Sequence, residues 1–265
     1  MTELKENALP ASKVMKVIDY IEAHLKDDRE GVLDNATLAR VAGYSEYHFL
    51  RLFRATVSLT PADYIRKRRL TEIVRRIGKM DGKLLSGVSY AGWGIPEVVN
   101  KEARLEASIR SMKELGKTAG DLGITYGIEA VNRFEGVTIN TAKEARAYVE
   151  AVDLANVGIL LDTYHMNIEE KSFREAILTA GDRLVGFHVG ENNRTCPGRG
   201  HLDWNEIFGT LREIGYSHRI VAEPFVMAGG EVGRSIAVWR DLIDDKSEAA
   251  LDAEAAYMLD FMRKA

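Results

Sequence analysis

Val157-Gly158-Ile159-Leu160-Leu161-Asp162 sets the reading of this chain: an uncharged apolar run that closes on a carboxylate. Working outward, similar apolar runs with a polar residue at or just past their ends recur at 124–130, 184–189 and 220–222, with a further short apolar run at 84–90. Between them lie longer amphipathic stretches, which predict helices at 101–122, 142–154, 172–180, 204–214, 233–242 and 252–262. Strands that alternate with helices imply a parallel sheet with helices packed outside it. Five strand–helix units are present, whereas a closed barrel of this kind has eight.

Four of the five strand candidates end on residue types that bind metals: Glu129, Asp162, His188 and Glu223. They stand 33, 26 and 35 residues apart, one per strand–helix unit. In a parallel barrel the C-terminal strand ends share one face, where barrel enzymes do their chemistry. One acidic residue at a strand end is usually a helix cap or a solvated loop residue. Four in register call for another account, because three carboxylates gathered together without a cation are costly to bury. Three carboxylates and one imidazole suit Mn²⁺, Co²⁺ or Mg²⁺. A site without thiolates argues against structural zinc. Glu135, His165 and Arg194 lie just past the same strand ends and could hydrogen-bond a polyhydroxylated ligand. Taken singly, each also reads as a loop cap or a solvated side chain. The loop 195–201, with Pro197 between Cys196 and Gly198, looks like a rigid cover over the site.

The first 79 residues follow another grammar. Val14, Val17, Ile18, Ile21 and Leu25 recur at helical spacing. Asn35 and Ser45 are candidate N-caps, Gly43 suits a left-handed turn, and Thr60-Pro61 reads as a cap followed by proline at the first helical position. This segment holds 15 Lys+Arg against 11 Asp+Glu, a net of +4, while the remainder carries 21 against 29, a net of −8. A basic head on an acidic body predicts two domains, 1–79 and 80–265, with different partners. The single cysteine, Cys196, excludes an internal disulfide. With no apolar leader and no membrane-length apolar run, the expectation is a cytoplasmic protein without membrane association.

Several stretches resemble known families. Ile128-Glu129-Ala130-Val131-Asn132-Arg133-Phe134-Glu135, the run from Leu161-Asp162-Thr163-Tyr164-His165 to Glu170, Phe187-His188-Val189-Gly190-Glu191-Asn192-Asn193-Arg194, Glu223-Pro224-Phe225-Val226 and Val238-Trp239-Arg240-Asp241-Leu242 resemble signatures of the D-tagatose/D-psicose (allulose) 3-epimerases. The resemblance spans about 84–265. It implies an α/β fold: a partial, five-unit TIM-barrel-like sheet of xylose isomerase-like type. It also implies a divalent metal, commonly Mn²⁺ or Co²⁺, on Glu129, Asp162, His188 and Glu223. Glu129 and Glu223 would double as the acid–base pair, and Glu135, His165 and Arg194 would hold a ketose monosaccharide. Inverting C3 requires taking the proton alpha to the C2 carbonyl from one face and returning it on the other.

Gly43-Tyr44-Ser45-Glu46-Tyr47-His48-Phe49-Leu50-Arg51-Leu52-Phe53-Arg54 and Thr60-Pro61-Ala62-Asp63-Tyr64-Ile65-Arg66 resemble the first helix-turn-helix of AraC-type regulators. This resemblance implies a small all-α domain before the sheet. Residues 46–53 would be its recognition helix, and Tyr47, His48 and Arg51 its DNA contacts. Both likenesses are partial: a second helix-turn-helix and three strand–helix units of the epimerase pattern are not found. An open sheet exposes its edge, so the helical head or a second copy of the chain is expected to cover it. Besides ketose 3-epimerisation, two other readings stay open: a sugar-responsive DNA-binding regulator, and a related sugar or keto-acid isomerase or dehydratase.

Overall fold

The computed structural model describes residues 3–27, 29–92, 94 and 100–264. The chain divides into two compact units, Met1–Met80 and Asp81–Ala265.

The first unit is helical: α1 (Glu3–His24), α2 (Asn35–Ala42), α3 (Glu46–Val57) and α4 (Pro61–Lys79). Its core gathers Val14, Val17 and Ile21 of α1, Leu38 of α2, and Phe49 and Phe53 of α3, all fully buried. The Phe53 ring meets those of Phe49 and Tyr64 edge-on, with centroids 5.6 and 5.9 Å away. Ser45 and Thr60 cap α3 and α4. The cap of α2, expected at Asn35, is Asp34, whose carboxylate accepts the Thr37 N–H at 2.7 Å. An anion so placed also complements the positive end of the helix dipole. The basic α4 is not simply a solvated face. Arg68 pairs with Glu22 at 2.6 Å, and Arg69 donates to the Leu25 carbonyl at 3.1 Å.

The second unit is a parallel sheet in the strand order of the sequence: β1 (Leu84–Gly87), β2 (Thr125–Glu129), β3 (Val157–Asp162), β4 (Leu184–Val189) and β5 (Ile220–Ala222). The intervening helices are α5 (Lys101–Asp121), α6 (Ala142–Val152), α7 (Thr163–Glu169), α8 (Phe173–Ala180) and α9 (Trp204–Glu213). After β5 come α10 (Gly230–Ser235) and α11 (Glu248–Lys264). Central β3 is buried along its whole length, as a strand with cover on both faces must be. The sheet is open, with β1 and β5 at its edges. Val221 on β5 remains 45% exposed.

Three expectations need correction. β1 stops at Gly87 rather than reaching Tyr90, because Gly87 adopts φ 130°, which leaves extended geometry. The helix expected at 233–242 is α10, shifted earlier, and Ala237 at φ 59° ends it with the Val238 N–H bonded to the Gly233 carbonyl. α7 was not anticipated and starts directly on Asp162. Among the described residues no helix is long and apolar enough to cross a membrane.

Candidate active site

Register places the key residues side by side. Asp162 pairs with His188 across β3 and β4, and Glu129 closes β2 opposite Leu160. Glu223 directly follows β5, and its N–H bonds the Val189 carbonyl at 2.9 Å. Neighbouring contacts fix these ends. Tyr90 donates its hydroxyl to the Glu129 carbonyl at 2.9 Å. Buried Thr163 clamps Gly190, donating to its carbonyl at 2.6 Å and accepting its N–H at 2.9 Å.

One ligand-type atom from each of Glu129, Asp162, His188 and Glu223 lies within 4.8 Å of all the others. His188 Nδ1 is the hub, 3.3 Å from Glu223 Oε2, 3.7 Å from Glu129 Oε1 and 3.9 Å from Asp162 Oδ2. Asp162 divides its oxygens. Oδ1 caps α7 by accepting the Tyr164 N–H at 2.6 Å and the His165 N–H at 3.4 Å, while Oδ2 faces His188. One oxygen of this carboxylate thus serves as the cap of α7, and the other is turned toward the His188 ring.

The electrostatics show strain of like charges. Burial, with Glu129 and Glu223 adding to it, pushes the Asp162 carboxyl up to about 6. Burial opposes a proton on His188, but Glu129 and Glu223 outweigh it and push the imidazole up to about 10. Burial also acts to raise Glu223, yet contact with His188 holds it below the usual carboxylate range. The ion-pair partners of the three carboxylates among the described residues are imidazoles, with no Lys or Arg. Three oxygens and one nitrogen that crowd one another this way fit a divalent cation, which would relieve the repulsion directly.

Beside this cluster is a second group of buried polar residues. Asn132 donates its backbone N–H to His165 Nδ1 at 3.2 Å, and its amide nitrogen lies 2.8 Å from the same atom. The Asn132 amide oxygen accepts the Phe134 N–H at 2.9 Å, which sets the orientation of the amide. With Nδ1 accepting, the His165 proton sits on Nε2, 3.9 Å from Glu129 Oε1. Burial lowers the pKa of His165, which favours the neutral ring. The Asn132 amide also donates to Glu135 Oε1 at 2.9 Å, and Arg194 pairs with that same oxygen. The Arg194 guanidinium lies 3.9 Å from the Tyr164 ring centroid and 5.0 Å from that of Phe225. Glu135 Oε2 and Arg194 Nε are buried and find no hydrogen-bond partner among the described residues. Buried polar atoms of this kind are satisfied by a bound water or by a polar ligand.

The structure thus brings Glu129, Asp162, His188 and Glu223 together and sets His165, Glu135 and Arg194 beside them. Tyr47, His48 and Arg51 belong to the first unit, on the exposed side of α3. Asn132, Tyr164 and Phe225 were not singled out from the sequence. They sit within the matching stretches, but nothing in their spacing signals a role.

Residues 52–255 match the xylose isomerase-like TIM barrel family. The D-psicose 3-epimerase of Enterocloster bolteae is 43% identical over 194 residues, which cover 72% of this chain and 64% of that enzyme. The D-psicose 3-epimerase of Agrobacterium fabrum is 36% identical over 247 residues, covering 92% of this chain and 84% of that enzyme. The solved D-psicose 3-epimerase from Clostridium cellulolyticum H10 with D-tagatose aligns at a TM-score of 0.73 and 44% identity, over 76% of this chain and 71% of that one. The chain thus spans just under two thirds of the length of the Enterocloster enzyme. The chain belongs to the xylose isomerase-like TIM barrel family and, within it, is homologous to the D-psicose 3-epimerases.

Proposed function

We propose that the second unit binds one divalent cation, Mn²⁺ or Co²⁺ in preference to Mg²⁺, through Glu129, Asp162, His188 and Glu223 and epimerises a free ketose at C3. The observation that carries this reading is the meeting of those four side chains within 4.8 Å. When bound, the cation supplies Lewis-acid stabilisation of the oxygen charge that develops as C3 loses its proton. Glu129 and Glu223 come from β2 and from the end of β5, the outer pair of the four strands that carry the cluster. They can therefore flank a substrate, one taking the proton from one face of C3 and the other returning it to the opposite face. His165, neutral with its proton on Nε2, donates to a substrate oxygen. The Glu135–Arg194 pair offers both an acceptor and a donor to hydroxyl groups, and the Tyr164 ring lies against the guanidinium.

The test is incubation with Mn²⁺ and D-fructose, D-tagatose or L-ribulose, with chromatography for the C3 epimer. Turnover that Glu129→Gln and Glu223→Gln each abolish supports the proposal. A folded, metal-loaded protein that yields no C3 epimer from any of the three sugars refutes it. The half-exposed Val221 on edge strand β5 favours association with a second copy of the chain, which sedimentation would reveal.

A second reading concerns the first unit. Tyr47 is 77% exposed and His48 and Arg51 are exposed with it, while Phe49 and Phe53 on the same helix are buried. A helix anchored on one face, with polar and basic side chains free on the other, supports duplex DNA binding. Binding that weakens steeply with salt and is lost in Arg51→Ala would support this, and salt-independent binding would refute it.

A further inference from the structure

Glu191 is fully buried, yet it is not among the metal-ligand residues or the polar group that faces the substrate. Its carboxylate is held by neutral donors. Oε1 accepts the Gly198 N–H at 2.9 Å and the Trp204 indole N–H at 2.7 Å, and Oε2 accepts the Leu202 N–H at 3.4 Å. Gly200 makes room for it, since a Cβ there would lie 2.3 Å from Oε2. A buried anion that gathers three N–H groups from residues 198–204 organises that whole loop.

The same residue frames a tight turn. The Glu191 N–H bonds the Thr195 carbonyl at 3.0 Å, and the Arg194 N–H bonds the Glu191 carbonyl at 2.9 Å. Arg194 inside the turn has φ 70°, a left-handed conformation that a non-glycine residue holds only when its surroundings enforce it. Its carbonyl in turn accepts the Phe225 N–H at 2.9 Å. The far side of the loop is fixed to α11. Arg199 bonds Glu254 at 2.9 Å and lies 3.9 Å from the Tyr257 ring centroid. Glu191 therefore joins a segment anchored on the C-terminal helix to the strained turn that carries Arg194.

We infer that Glu191 is a positioning residue: it holds the Arg194 turn in its left-handed form and so sets the guanidinium against Glu135 and the ketose. The inference rests on the epimerase reading for its kinetic arm only. In Glu191→Gln the amide nitrogen cannot accept, so at least one of the three donors faces another donor. The expected result is a KM for the ketose raised on the order of tenfold at nearly unchanged kcat. Mn²⁺ affinity should stay unchanged, because the four candidate ligands are untouched. If the effect passes through Arg194, then Glu191→Gln adds little further loss of kcat/KM in an Arg194→Ala background.

Hydrogen exchange provides an arm that needs no turnover. In Glu191→Gln the amides of Arg194, Gly198 and Leu202 should exchange faster, while those of β3 do not change. Where Glu191→Gln fails to fold, Gly200→Ala, which pushes against Oε2, is read in the same way. Unchanged exchange at Arg194, an unchanged KM, or fully additive losses in the double variant would each overturn the inference. Absence of turnover in the unmodified chain would instead refute the epimerase reading, and exchange would then decide the role of Glu191 alone.

Discussion

Cation binding should expel a proton, and His188 is the group expected to lose it. With its pKa near 10, His188 carries a proton at pH 7.5, held there by Glu129 and Glu223. A ligand nitrogen must be free of its proton, so binding must first remove it. At about 1.4 kcal/mol per pKa unit, that removal costs about 3 kcal/mol at pH 7.5. The apparent affinity for Mn²⁺ should then rise about tenfold per pH unit, or about 100-fold from pH 6.5 to 8.5. Towards pH 6 the slope should steepen, because burial has raised the Asp162 carboxyl into that range. Titration calorimetry in two buffers of different ionisation enthalpy counts the protons directly, and close to one should leave per Mn²⁺ at pH 7.5. The metal-free protein should behave in the opposite sense. The raised His188 pKa stabilises the fold fully below about pH 6.5, and this contribution is lost as pH rises towards 10. Its melting temperature should fall across that interval, and saturating Mn²⁺ should offset the fall. An affinity that is flat with pH, with no proton released, would refute a protonated His188 that gives up its proton to the ion.

Other changes follow from packing and hydrogen bonding. Gly158→Ala would place a Cβ 2.4 Å from Val185 Cγ1 and 2.7 Å from the Arg183 carbonyl oxygen, and should destabilise the sheet by about 1–3 kcal/mol in urea unfolding. Asn132→Ala removes amide bonds to Glu135 and His165, so thermal melts should show a loss of about 1–3 kcal/mol, and kcat/KM should fall with it. Phe53→Ala empties the centre of the first unit and should cost that unit about 3–5 kcal/mol, seen as a lower urea midpoint for its helical signal.

The sheet and the row of acidic and imidazole side chains at its strand ends were legible because both depend on period and spacing. Apolar runs such as 157–161 have one sensible role in a chain of alternating strands and helices, and side chains at successive strand ends meet wherever that sheet curls. Element ends were less legible where one backbone angle decides them: Gly87 and Ala237 change direction without any change in hydrophobic pattern. The cap of α2 is Asp34 rather than the expected Asn35, because neighbouring Asn and Asp are equivalent cap formers and only geometry selects between them. α7 was invisible because it is 7 residues long and its N-cap is the residue that ends β3. Asn132 and Glu191 were hidden for a different reason. The hydrogen-bond partners of each come from several positions brought together only by the fold, which no local spacing encodes.

The four clustered side chains enter one at a time from adjacent β–α units, 33, 26 and 35 residues apart, and the strands stack in the order in which they are made. During synthesis each newly emerged strand can dock on its predecessor without waiting for a distant partner. By this order the cluster can be completed only once Glu223 has left the ribosome. Cation capture at that moment would make the ion a late fastener of the nascent chain, and a message truncated before codon 223 would yield a sheet unable to retain it.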